Sequence, residues 1–237
     1  MLILSSKNLK KCSACKHMFY CDAVCQKEDW KRHKFECKIY KEHYDELRNL
    51  NMGRFLLRLY LFLSNNKQLI LKKEILQFDE SIQRSFEDLM THKSDIEKSV
   101  YRTNFEAVLR RFNNCNIEFD AATLFEYYCK ICINSFSILN NDLNDIGSAL
   151  YVEESFFDHS CTPNAAPVSN GMYLEVRAIK EIKHGEKITI NYVDLKDDLE
   201  VRRKSLNERY YFDCHCPRCT SDFDKGLEFK FINKFDG

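Results

Sequence analysis

Six side chains of the kinds that ligate a soft divalent metal fall within residues 12–37, as Cys12-x-x-Cys15, Cys21-x-x-x-Cys25 and His33-x-x-x-Cys37. A second set lies downstream, where Cys161 precedes the run Cys214-His215-Cys216-Pro217-Arg218-Cys219. Thiolate and imidazole at such spacings are ligands for tetrahedral zinc. Cys161, Cys214, Cys216 and Cys219 predict a four-thiolate site that ties two distant segments together, which leaves His215 surplus. His33 and Cys37 share one face of a helical turn, so both can reach one ion. Cys129-x-x-Cys132 has a similar spacing but sits in an apolar helical run with no other ligand near it. Those two read as buried free thiols.

Composition bounds what these sites serve. The chain has 237 residues, enough for one or two domains with a real core. It carries 36 basic and 36 acidic residues, so no global field draws it to nucleic acid or an anionic membrane. No apolar run is long enough to span a bilayer, and Met1-Leu2-Ile3-Leu4 has no small-residue cleavage site after it. Twelve cysteines in that setting point to a reducing compartment, nucleus or cytoplasm, and to metal rather than disulfides.

The ligands need elements to hold them. Helical spacing of apolar residues runs from Ile39 to Leu63 and predicts further helices over 70–78, 94–112 and 120–134, the last with Asp120 as N-cap. Asn170-Gly171 predicts a hairpin turn leading into a strand over 172–179; a second strand follows over 187–192 and a charged helix over 195–209. The predicted fold is α+β: a zinc-stabilised finger, a helical insert, and a small β-rich core closed by a zinc knot.

Tyr20 before Cys21, and Gln26-Lys27-Glu28-Asp29-Trp30 after Cys25, make residues 1–40 resemble the MYND zinc finger. That family binds two zinc ions through four ligand pairs, and the second, third and fourth pairs are present here. The resemblance implies one complete site from Cys12, Cys15, His33 and Cys37. It leaves Cys21 and Cys25 as half of a second site, for which His17 is a substitute that nothing in the pattern favours. It also implies proline-rich peptides as partners of the finger. The bland reading is a folded knob, with Lys31-Arg32-His33-Lys34 on a solvated helix face.

Asp158-His159-Ser160-Cys161, followed by Ile190-Asn191-Tyr192 and the cysteine knot, resembles the C-terminal half of a SET domain. With the finger and Asn134-Ser135-Phe136, the order resembles the SET-and-MYND (SMYD) protein lysine methyltransferases. The resemblance implies transfer of methyl from S-adenosyl-L-methionine to a lysine-bearing protein, histone or non-histone. It implies Tyr192 as the catalytic residue, with His92, Asn134, Phe136, Asp158, His159, Tyr192 and Phe212 at the cofactor, Tyr210 at the substrate channel, and zinc. The family has Asn where Asp158 stands; a carboxylate keeps the acceptor and loses the amide donor, which predicts weakened cofactor affinity.

The implied layout is a partial finger over 1–40, a helical insert over 41–149, the C-terminal part of SET over 150–212, the knot over 213–220 and a tail over 221–237. The glycine-rich first part of SET should precede Cys12, and a helical domain should follow the knot. Neither is in the sequence, so the expectation is an N-terminally truncated chain of weak or no activity. The rival expectation is a zinc-dependent binding scaffold acting through the finger; a nucleic-acid binder is disfavoured by the balanced charge.

Overall fold

The structure is a computed structural model and describes residues 9–76, 79–140, 142 and 144–221. The chain divides into two compact units, Met1–Ser135 and Phe136–Gly237.

In the first unit a short antiparallel pair, β1 (Lys10–Lys11) and β2 (Phe19–Tyr20), leads into helix α1 (Ala23–Leu47). Asp22 starts α1 by accepting the Cys25 N–H at 2.8 Å. The residues that α1 buries, His33, Glu36, Cys37, Tyr40 and Leu47, recur at the three-to-four spacing of one helix face. The helical stretch expected from Ile39 to Leu63 is two helices: α1 ends near Leu47 and α2 runs Asn51–Ser64. Gly53 explains the break, because a Cβ there would meet Leu50 Cδ2 at 2.3 Å. Only a bare Cα lets Leu50 fold back over the start of α2.

Residues 70–78, expected to be helical, instead contribute to a hairpin of β3 (Glu74–Leu76) and β4 (Asp79–Arg84), with 77–78 outside the described residues. A short apolar run carries too little periodicity to separate helix from strand. The helix expected over 94–112 is divided as well. A single turn, α3 (Lys93–Ile96), precedes α4 (Val100–Asn114), and Ser99 restarts the helix by accepting the Tyr101 N–H. Helix α5 (Ala121–Asn134) follows expectation, with Asp120 capping through the Thr123 N–H at 2.7 Å. Leu56 and Leu57 of α2, Phe105 and Phe112 of α4, and Leu124 and Ile131 of α5 are buried, and α2 packs on α5. Each such side chain contributes roughly 1.5–3 kcal/mol.

The second unit is built from small sheets: β5 (Ser135–Leu139) with β6 (Asp145–Leu150), and β8 (Ala165–Asn170) with β9 (Tyr173–Ala178) around Gly171 at φ +64°. Between them β7 (Asp158–His159) pairs in parallel with β10 (Thr189–Ile190), His159 opposite Ile190. Strand β8, with its Ala-Ala-Pro opening, carries no strand signature and was not anticipated. Asn164 sets the approach of β10: its Oδ1 accepts the Thr189 N–H at 2.8 Å and its Nδ2 donates to the Lys187 carbonyl at 2.9 Å. Helix α6 (Leu199–Tyr210), capped by Asp198, buries Leu206 and Arg202 beside the cysteine knot.

Candidate functional site

Three groups of metal-capable side chains occur among the described residues: Cys12, Cys15, His33 and Cys37; Cys161, Cys214, Cys216 and Cys219; and Cys21, Asp22 and Cys25. Within each, the ligand atoms lie within 4.8 Å of one another. A tetrahedral zinc with bonds of about 2.3 Å places its sulfurs about 3.8 Å apart. The Cys12–Cys37 sulfurs are 3.8 Å apart, Cys161–Cys219 are 3.5 Å apart, and His33 Nε2 is 3.5 Å from Cys15 Sγ. Both four-residue groups therefore fit zinc, and both are mostly buried, where polar groups need a partner.

The ionisation of the metal-free thiols is uneven. Burial works to raise Cys12, but backbone N–H groups of Cys15 and Ala14 outweigh it and hold the thiol at about 6. Burial likewise works to raise Cys216, yet the N–H groups of Cys219 and Cys161 bring it down to about 7. Cys37 and Cys214 are pushed up to about 12 and about 11, first by burial and then by neighbouring thiols. Each cluster thus holds one thiol that ionises readily beside one that does not, and an arriving cation must draw the proton off the latter. Cys21 and Cys25 form a more exposed half-site with Asp22. His17 is not part of it; its ring stacks on Tyr44 at 3.6 Å. Cys129 and Cys132 join no metal-capable group among the described residues, and burial raises both thiols.

In the second unit the four-thiolate cluster is packed directly against the residues expected to do chemistry. Cys161, Val193, Leu206, Cys214 and Cys219 form a buried cluster with Tyr192, Tyr210 and Phe212 against it. The Tyr192 and Tyr210 rings lie 4.8 Å apart, and His159 lies 5.4 Å from Tyr192 and 6.0 Å from Phe212. The Tyr192 hydroxyl donates to the Phe157 carbonyl at 2.5 Å. Phe136 and Tyr192 both pack on the core of Phe157, Ala165 and Ile190.

His159 has both ring nitrogens committed. Nδ1 accepts the Tyr192 backbone N–H at 3.0 Å, so the proton sits on Nε2, 3.2 Å from Cys161 Sγ. Burial first, and the Arg202 guanidinium second, push this imidazole down to about 4. His159 is thus a neutral bridge between the zinc knot and the Tyr192 backbone. Asp158, by contrast, is exposed and paired with Lys187.

The remaining expected residues, His92 and Asn134, belong to the first unit. Asn134 Nδ2 donates to the Met90 carbonyl at 2.8 Å, tying the end of α5 to the 89–92 segment. His92 takes a left-handed backbone, φ +43°, with Nδ1 3.3 Å from Asp95 Oδ2. It lines an open cavity of about 940 Å³ with Leu89, Met90, Lys93, Glu97 and Lys130. Lys130 is buried and donates to the Phe86 and Glu87 carbonyls at 3.1 and 3.0 Å.

The zf-MYND family, MYND finger, matches residues 5–37. The chain is 31% identical over 227 residues to the N-lysine methyltransferase SMYD2 of Rattus norvegicus, covering 92% of this chain and 50% of that protein. It is 33% identical over 231 residues to the histone-lysine N-methyltransferase SMYD3 of Homo sapiens, covering 95% and 52%. Over nearly its whole length the chain is thus similar to SET-and-MYND (SMYD) proteins, and residues 5–37 match the MYND finger. It spans about half the length of the curated relatives it matches.

Four features of this chain escaped sequence reasoning. Arg202 is buried beside the four thiolates and hydrogen-bonds Cys161. Lys187 holds Asp158, Asn164 orders β10, and a carboxylate–guanidinium network stands behind His33. Only Asn164 had a local signal, its place just after Cys161-Thr162-Pro163.

Proposed function

We propose that this chain carries the C-terminal half of the SET catalytic centre of a protein-lysine N-methyltransferase that uses S-adenosyl-L-methionine. The observation behind this reading is the assembly of Tyr192, Tyr210, Phe212 and His159 on the four-thiolate cluster, in a chain whose relatives are named lysine methyltransferases. S-adenosyl-L-methionine, which Phe136, His159 and Phe212 would help to hold, would supply a sulfonium methyl group for transfer to a neutral lysine amine. Such a displacement asks the protein for alignment more than for acid–base help.

The chain's residues suit that task. Tyr210 and Tyr192 offer aromatic walls that favour a desolvated amine, and His159 fixes the backbone of Tyr192. The Tyr192 hydroxyl, donated to the Phe157 carbonyl, is a fixed dipole at the aromatic cluster. Phe136, Asp158, His159, Tyr192 and Phe212 are the proposed cofactor contacts within the second unit. The proposed substrates are lysine side chains of histone or non-histone proteins. The finger, with Phe19, Val24 and Trp30 exposed, is the proposed surface for proline-rich peptides. The nucleus or cytoplasm is the proposed location, in keeping with twelve free cysteines.

Calorimetry with S-adenosyl-L-methionine on the zinc-loaded chain tests the reading, and binding is the expected result. No heat at millimolar cofactor, with both four-ligand sites metal-filled, would sink the enzyme and favour a scaffold. A lysine-peptide assay then asks whether Tyr192→Phe lowers methyl transfer, expected by roughly 100-fold.

A further inference from the structure

The metal centre of the finger does not end at its four ligands. His33 presents Nε2 to Cys15, and its other nitrogen, Nδ1, lies 3.2 Å from Glu36 Oε1. Glu36 is fully buried, and the same Oε1 accepts from Arg58 of α2, whose Nε is 3.0 Å away. The Arg58 guanidinium also forks onto Asp29, Nη1 to Oδ1 at 2.8 Å and Nη2 to Oδ2 at 3.3 Å. Asp29 accepts the Tyr20 hydroxyl at 2.8 Å, and Tyr20 immediately precedes Cys21. One guanidinium thus joins two carboxylates, one of which orients a metal-ligating imidazole.

Charge makes the arrangement more than a helix cross-link. Three thiolates around a divalent ion leave a net negative centre, and Glu36 and Asp29 add two further negative groups beside it. Arg58 is the cation that both carboxylates share; Arg54, one turn earlier on α2, acts on Glu36 from farther off. An imidazole that ligates zinc usually donates its other N–H to a carboxylate, which sets the tautomer and ring orientation, and such partners tune affinity. A carboxylate buried beside an anionic centre keeps its charge only if a cation compensates it.

We propose that Arg58 is a positioning residue of the finger's metal centre. Through Glu36 it holds His33 in the tautomer and orientation that zinc takes, so the finger depends on a helix beyond its own ligands. Arg58 lies outside the matched finger, which ends at residue 37. The inference rests on the zinc reading of the finger and is independent of the methyltransferase reading.

The test uses the 237-residue chain loaded with cobalt(II), whose visible absorption distinguishes a three-thiolate, one-imidazole centre from a four-thiolate centre. In competition with a chelator, Arg58→Met is expected to weaken metal binding at the finger by roughly 10- to 100-fold and to leave the four-thiolate centre as in the natural chain. Arg58→Lys keeps the charge without the fork and is expected to recover part of the loss. Unchanged binding in Arg58→Met overturns the proposal. Equal weakening at both centres overturns it too, since that is general destabilisation. A natural chain without the three-thiolate, one-imidazole spectrum overturns the proposal together with the zinc reading of the finger. Should Arg58→Met not fold, Glu36→Gln replaces it: a selective loss at the finger supports the proposal, and none overturns it.

Discussion

Asp158 precedes His159 in β7 and Tyr192 packs on the His159 ring, yet their surroundings differ sharply. Tyr192 is held at three points: its hydroxyl on the Phe157 carbonyl, its N–H on His159, and its ring on Tyr210. Removing only the hydroxyl, in Tyr192→Phe, is expected to cost about 0.5–1.5 kcal/mol in urea unfolding while lowering methyl transfer far more. A stability loss with no effect on transfer would assign the hydroxyl to the fold alone. Asp158 is paired among the described residues with an exposed partner, Lys187. A cofactor ammonium that takes Asp158 must first displace that lysine. Lys187→Ala is therefore expected to tighten S-adenosyl-L-methionine binding, and by no more than several-fold, since exposed pairs are worth about 0–1 kcal/mol. Calorimetry that shows weaker binding in this variant would give Lys187 a direct part in holding the cofactor.

Helix α5 shows how an element was readable from sequence while its purpose was not. The Asp120 cap and the apolar run from Leu124 announce it, and Cys129 is buried in it as a thiol. Lys130 in the same run is buried, with its ammonium on two carbonyls and 3.1 Å from Glu126. Lys130→Met would take a donor from the Glu87 carbonyl and leave the Phe86 carbonyl to the Leu89 N–H, and a loss of about 1–3 kcal/mol is expected from chemical denaturation. The misread 70–78 segment is the opposite case. Its short apolar run carried too little periodicity to distinguish helix from strand, and the pairing partner that decides the matter, Gln83 opposite Ile75, lies beyond the run itself.

At the scale of the chain, each compact unit carries its own four-ligand centre. In the second unit the β7–β10 pairing is two residues long, and one of the buried clusters is built around three of the four thiols. Zinc binding in small modules is worth roughly 10–16 kcal/mol, comparable to the whole stability of a domain. Chelation is thus expected to abolish hydrogen-exchange protection at Ile190 and Tyr192. Protection that survives complete metal removal would show that apolar packing alone holds the site.

Ligand spacing was legible along the chain because a metal's bond lengths and tetrahedral geometry restrict how far apart its ligands can lie, whichever helices carry them. The paired cysteines, the His33-x-x-x-Cys37 turn and the Cys161-to-knot closure followed from that restriction alone. The partners of those ligands were not legible. Glu36 meets Arg58, His159 meets Tyr192, and Asp158 meets Lys187 across separations of 22, 33 and 29 positions, the last counted as 187 − 158. No periodicity links such positions; burial brings them together, and buried charge and unpaired N–H groups then select the contacts. The zinc sites were thus written in the order of residues, whereas the electrostatic settings of His33, His159 and Asp158 arose when the chain packed.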